Sequence, residues 1–125
     1  MNAHYQAHQA YAAMAAPTRT PRSAEYEAVA RATQKLQAAQ SLGAKGFPAL
    51  VEAIHLNRKL WRIFAIDVAD KGNKLPEDLK ARILYLADFT HQQSSKVLSR
   101  RAPVSALIDV NLSILRGLRG KGAAK

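Results

Sequence analysis

The chain has no cysteine, few aromatic residues and few acidic ones, and these shortages narrow its possible functions. Without cysteine it has neither a disulfide framework nor a thiolate nucleophile, so a reducing compartment is permitted. It also lacks any run of about 18 apolar residues, which excludes a transmembrane helix. Its first residues do not combine a basic stretch with a strongly apolar one, so we expect no secretory signal and a cytoplasmic location.

The sequence does have the length and the apolar content of one folded domain. Its 125 residues are enough for a real core, and 48% of them are hydrophobic. The net charge is +10, of which +5 lies in residues 100–125, with six basic residues and one acidic residue. Such an end attracts polyanions, namely nucleic acid, anionic lipid or an acidic protein surface. A solvated tail that only keeps the protein soluble explains this charge equally well, because the segment has no aromatic residue for base stacking.

Apolar residues recur at intervals of three and four, which predicts an all-α protein, a small antiparallel bundle of four to five helices. Short loops favour antiparallel neighbours. The predicted helices are 3–16, which is marginal on its own, and 23–41, 47–70, 76–99 and 103–118. The predicted organisation is an N-terminal helix or arm with a linker at 1–22, a helical bundle domain at 23–118 and a basic flexible tail at 119–125.

Two asparagines, Asn57 and Asn111, interrupt otherwise apolar helix faces. A buried amide without a hydrogen-bond partner costs about 1–3 kcal/mol, so each asparagine needs one. One interpretation is that each amide fixes the register of its helix by bonding a backbone carbonyl, a neighbouring helix or the other asparagine. The alternative is that the helices rotate and leave both amides at the edge of the core.

No arrangement of residues in the sequence supports an enzyme or a metal site, and we expect no cofactor. His4 and His8 share a helix face, but two ligands do not make a metal site. Asp67 and Asp70 lie at the end of a predicted helix, where carboxylates oppose the helix dipole. We therefore expect Asp67 to pair with a cation of the next helix, Lys80 or Arg82, and not to act as an acid or base.

Trp61, the only tryptophan, is surrounded in sequence by Arg58, Lys59 and Arg62. An aromatic residue among cations is typical of a hot spot for protein or nucleic acid binding. A core tryptophan whose basic neighbours point outward gives the same pattern, and helical spacing favours this second interpretation.

The stretch that contains Trp61 also resembles a known family. Residues 57–61, Asp67 and residues 73–79 are similar to the central signature of the FlaF family, flagellar biosynthesis regulators from alphaproteobacteria. Further similarities, in the same order along the chain, are Tyr11, residues 20–22 with Glu25, residues 107–111 and residues 116–118. Lys74 departs from the family, whose turn often has proline at this position.

The resemblance implies a non-enzymatic cytoplasmic factor that acts with flagellin and in opposition to the regulator FlbT. A chaperone-like role would use a groove for the amphipathic terminal helices of flagellin. The alternative is an RNA-binding regulator of flagellin messenger RNA that acts through the basic C-terminal end. The oligomeric state stays open.

Two sets of residues follow from resemblance and charge. The expected partner-binding residues are Arg58, Lys59, Trp61, Arg62, Arg116 and Arg119. The motif residues with an expected structural role are Asn57, Asp67, Asn73, Leu75, Pro76, Asn111 and Gly117.

Overall fold

The structure, a computed structural model, describes the backbone of residues 21–123 and the side chains of residues 24–117. This part of the chain contains no strand and forms four α-helices: α1 (Pro21–Ser41), α2 (Phe47–Ala69), α3 (Glu77–Leu98) and α4 (Ser105–Ala123). A 3₁₀ turn, Gly43–Gly46, joins α1 to α2. The predicted all-α bundle is confirmed. The predicted helix 3–16, with His4, His8 and Tyr11, lies outside the described residues.

The four helices form a closed ring in which each helix packs against two neighbours. α1 packs on α2, α2 on α3, α3 on α4, and α4 on α1, so that α2 and α4 face each other across the core. Short connections make consecutive helices antiparallel. We call the end with the α2–α3 turn, residues 70–76, the upper end. The lower end has the α1–α2 and α3–α4 connections, residues 42–46 and 99–104.

Helix boundaries differ from the predicted ones at both ends of the described chain. α1 already includes Pro21, two residues before the predicted start at residue 23. Proline suits a first helical turn because its missing N–H would have no partner there. α4 continues past Leu118 to Ala123. Each glycine in that stretch lowers helix stability by about 1 kcal/mol relative to alanine, but no proline stops the helix.

The apolar core is densest in the lower half of the bundle. Its main cluster joins all four helices or their first turns: Leu36, Ala53, Ile54, Val97, Val104, Leu107 and Ile108. A second cluster, higher up, consists of Val29, Ala32 and Leu60 with half-buried residues around them. α3 contributes no buried residue before Thr90. The upper half of the bundle is therefore less completely closed, and α3 borders the opening.

Candidate binding groove

The upper half of α3 presents apolar side chains that the bundle does not bury. Leu79, Ile83 and Leu86 have the three-and-four spacing of a core face that continues to Thr90 and Val97. The structure buries Thr90 and Val97 but leaves the three upper residues half-exposed. Since apolar side chains at core spacing usually meet a partner, this half of α3 has an unused packing surface.

These side chains form one wall of a cavity of about 770 Å³ at the upper end. That volume falls within the usual range of ligand pockets. The opposite wall belongs to α4, where Ser113 and Gly117 provide almost no side-chain volume to fill the gap. We call this cavity the upper groove. Its lining residues in the described part of the chain are Glu25, Trp61, Phe64, Asp67, Val68, Asp70, Gly72, Asn73, Leu75, Leu79, Arg82, Ile83, Leu86, Ser113, Ile114 and Gly117.

Four of the seven motif residues meet in the upper groove, three from the end of α2 and the α2–α3 turn and one from α4. Asp67, Asn73, Leu75 and Gly117 line it, and so does Trp61. Of the other three, Pro76 is the N-cap of α3 and the two asparagines lie in the core. Most of the motif residues of the family resemblance therefore lie around one concave surface.

The α2–α3 turn, which forms the rim of the groove, is held by the side chain of Asn73. Its Nδ2 donates to the carbonyl of Asp67 at 3.1 Å, and its Oδ1 accepts from the amide of Leu75 at 3.0 Å. The Asp70 carboxylate accepts from the amide of Gly72 at 3.0 Å. Asn73 thus links the last turn of α2 to the residues that enter α3, and this explains an asparagine at that position.

Replacing Asn73 by alanine should therefore lower the free energy of unfolding by about 1–2 kcal/mol, because two hydrogen bonds are lost. Urea titration followed by circular dichroism measures the change. Lys74→Ala is the matched control in the same exposed turn and should change stability by less than about 0.5 kcal/mol. Equal effects of the two substitutions would contradict this role of Asn73.

A chain of hydrogen bonds crosses the core directly beneath the groove. The indole Nε1 of Trp61 donates to Oδ1 of Asn111 at 2.9 Å, and Nδ2 of Asn111 donates to Oδ1 of Asn57 at 2.8 Å. Both asparagines are fully buried. Because Asn57 is on α2 and Asn111 on α4, the bonds join the two helices that face each other across the ring. The two asparagines are bonded to each other, one of the arrangements that the register interpretation allows, and their role in fixing the register stays a prediction.

Trp61 belongs to the core, with only 2% of its surface exposed. Its ring meets the edge of Phe64 at a centroid distance of 5.5 Å, a favourable T-shaped arrangement. The part of Trp61 that reaches the groove therefore acts as a fixed floor.

The predicted basic residues lie in different settings. Nη2 of Arg58 donates to the carbonyl of His91 at 2.8 Å and to Oγ of Ser95 at 2.6 Å, so this side chain crosslinks α2 to α3. Lys59 is half-buried, whereas Arg62 and Arg116 are exposed. The side chain of Arg119 lies outside the description. Since Arg62 and Arg116 lie on helices that face each other across the core, the fold does not unite them in one surface.

Lys80, one of the two expected partners of Asp67, forms an ion pair within α3. Nζ of Lys80 lies 3.7 Å from Oε1 of Glu77, one helical turn away. Arg82, the other expected partner, lines the upper groove together with Asp67.

Within the described residues, no group of three or more His, Asp or Glu side chains is placed to hold a metal ion. None of the described helices is both long and apolar enough to cross a membrane.

Sequence reasoning missed the groove walls on α3 and α4. The spacing of Leu79, Ile83 and Leu86 predicts a buried face, because spacing cannot show that the opposite helix lacks bulk. The available signal was the pair Ser113 and Gly117, four residues apart on one face of α4. Small residues facing an apolar stripe indicate either close helix packing or an open groove, and only the structure distinguishes them.

The fold and the site together define a small four-helix bundle with an open, largely apolar groove at one end. The family model described as flagellar protein FlaF matches residues 7–118, so the chain belongs to the FlaF family and has a role connected with the flagellum. No curated protein and no solved structure shows significant similarity to the chain.

Proposed function

We propose that this chain is a non-enzymatic cytoplasmic factor that binds flagellin and supports its synthesis, stability or secretion in the manner of a chaperone. The observation that carries the proposal is the upper groove, where half-exposed Leu79, Ile83 and Leu86 meet four motif residues. Membership of the FlaF family supports the connection with the flagellum.

The groove suits an amphipathic helix better than a small molecule. Its apolar wall on α3 runs from Leu79 to Leu86, about 10 Å along the helix axis at 1.5 Å per residue. A partner helix that lies along this wall would bury apolar residues at i, i+3 or i+4, and i+7. The terminal segments of flagellin are expected to be helices of this kind, and before assembly their apolar faces need cover.

The net charge of the chain, which lies outside the groove, suits an acidic partner. Arg62 and Arg116 are exposed, and the net charge of +10 favours encounter with a polyanionic or acidic surface. Such charges change the association rate more than the final affinity. The predicted partner-binding role of Arg58, Lys59, Arg62, Arg116 and Arg119 stays a prediction, and the bonds of Arg58 to α3 give that residue a structural task as well.

Filling the groove tests the proposal without disturbing the fold. A β-carbon added at Gly117 meets nothing within 4 Å, so Gly117→Phe should fold and place its ring in the groove. Titration calorimetry with flagellin should then show affinity reduced at least about tenfold, since the loss of one or two apolar contacts exceeds about 1.4 kcal/mol. Gly117→Ala is the matched control, because it also replaces glycine by a better helix former and leaves the groove open.

The remaining arms of the experiment separate the alternatives. Flagellin without its terminal helices should fail to bind. Binding to flagellin messenger RNA that falls steeply with salt, with no flagellin complex, would establish the RNA-binding alternative. Self-association that Gly117→Phe abolishes would show instead that a second copy of this chain occupies the groove.

A further inference from the structure

The lower end of the bundle carries a concentrated positive charge that the upper groove does not use. The connections at this end and the adjoining helix turns, residues 40–51 and 93–108, contain four basic residues, and the nearest acidic residues, Glu52 and Asp109, follow directly in α2 and α4. All four side chains are exposed. The guanidinium of Arg100 lies 4.3 Å from the ring centroid of Phe47, so the α3–α4 connection packs against the start of α2. The four basic residues, with Leu42, are called the basic tip: Lys45, Lys96, Arg100 and Arg101.

The backbone at Arg100 is unusual for an arginine. α3 ends with the amide of Arg100 donating to Val97 and the amide of Arg101 donating to Lys96, at 3.0 and 2.8 Å. This pair of bonds is the Schellman motif, in which the residue at the position of Arg100 is left-handed and usually glycine. Arg100 has φ +63°. Arg100 therefore has a left-handed backbone conformation that usually requires glycine. Its guanidinium packs on the ring of Phe47 at the end of the molecule.

An apolar side chain lies beside this fixed charge. Leu42 is 56% exposed, and Gly46 packs so closely on it that an added β-carbon would lie 2.6 Å from the Leu42 Cβ. The exposed leucine and the cations thus belong to one continuous surface of connecting loops. An apolar residue surrounded by cations is typical of proteins that rest on an anionic membrane, with the leucine at the acyl boundary and the cations on phosphates.

We propose that the basic tip binds the surface of membranes that contain anionic phospholipid. A lipid surface fits better than single-stranded RNA, because proteins that bind single strands combine basic residues with open aromatic faces on which bases stack. In the described part of this end the aromatic side chain is Phe47, which is half-buried and has Arg100 over its ring. The upper groove lies at the opposite end of the bundle, so a membrane-bound molecule keeps it open.

Vesicle flotation measures this binding directly. The full chain should float with vesicles of phosphatidylcholine mixed with phosphatidylglycerol and not with phosphatidylcholine alone. The double variant Arg100→Gly, Arg101→Ser should bind about 25-fold more weakly, at about fivefold for each cation removed. Leu42→Ser should weaken binding by about tenfold, because the leucine no longer enters the apolar boundary.

The control variant leaves the basic tip unchanged. Lys71→Ser with Lys74→Ser removes the same charge from exposed positions at the upper end and should change vesicle binding less than twofold. The melting temperature of Arg100→Gly should not fall, because glycine suits its left-handed backbone. Equal losses in the control and tip variants, or full binding by Leu42→Ser, would overturn the proposal. Binding of the tip to an RNA oligonucleotide in preference to the vesicles would overturn it too.

Discussion

Replacing Asn111 by leucine will lower the free energy of unfolding by about 3 kcal/mol. Asn111 accepts from Trp61 and donates to Asn57, so its loss leaves a buried N–H and a buried carbonyl without partners. Each such group costs about 1–3 kcal/mol when it stays buried. Leucine has the same branched arrangement of four side-chain heavy atoms and is somewhat larger, so the change does not come from a cavity. Urea titration gives the free energy, and the melting temperature should drop by roughly 10 °C or more.

The matched control is Asn57→Leu, at the other end of the same hydrogen bond. Nδ2 of Asn57 is buried and has no partner among the described residues. Leucine at this position removes the unsatisfied Nδ2 donor of Asn57. It also leaves Nδ2 of Asn111 without its acceptor. The two terms oppose each other, and the expected loss is below about 1 kcal/mol. A larger loss for Asn57→Leu than for Asn111→Leu would show that the bonds do not run in the order described.

The helices and much of the core follow from the sequence because their signals are local. Three-and-four spacing predicts which faces of α1, α2 and α4 are apolar, and glycine or proline marks the connections. The asparagine pair was foreseeable as a need for partners, since a buried amide without one costs free energy. Its connection to Trp61 was not, because the indole reaches Asn111 across fifty residues of chain and the diagonal of the bundle.

The groove depends on information that spacing does not contain. Leu79, Ile83 and Leu86 predict a buried face, and whether that face is closed depends on the volume presented by α4. The motif resemblance supplied part of the missing information, because Asn73 and Gly117 shape the rim and wall without being apolar themselves. Arg58 shows a different limit of sequence patterns. Its position among cations predicts a free binding residue, but its guanidinium donates a hydrogen bond to the backbone of α3.

Substituting alanine for Trp61 will have the largest effect of any single change considered, a loss of about 4 kcal/mol in the free energy of unfolding. The side chain is 2% exposed, and truncating a buried tryptophan or phenylalanine costs about 3–5 kcal/mol through lost burial and a residual cavity. The substitution also strands Oδ1 of Asn111. Urea titration at low temperature measures the difference. Trp61→Phe, which keeps most of the volume and loses the hydrogen bond, should lose about 2 kcal/mol.

Arg62 serves as the control that distinguishes the two interpretations of Trp61, a core residue or a surface hot spot. Arg62 is exposed, so Arg62→Ala should change stability by less than about 0.5 kcal/mol. If Trp61 were a surface hot spot, Trp61→Ala would leave stability unchanged and weaken only partner binding. If it is the floor of the upper groove, Trp61→Phe should weaken flagellin binding in the same preparation that shows reduced stability. The change in binding would arise because the hydrogen bond that holds the indole at the floor of the groove is gone.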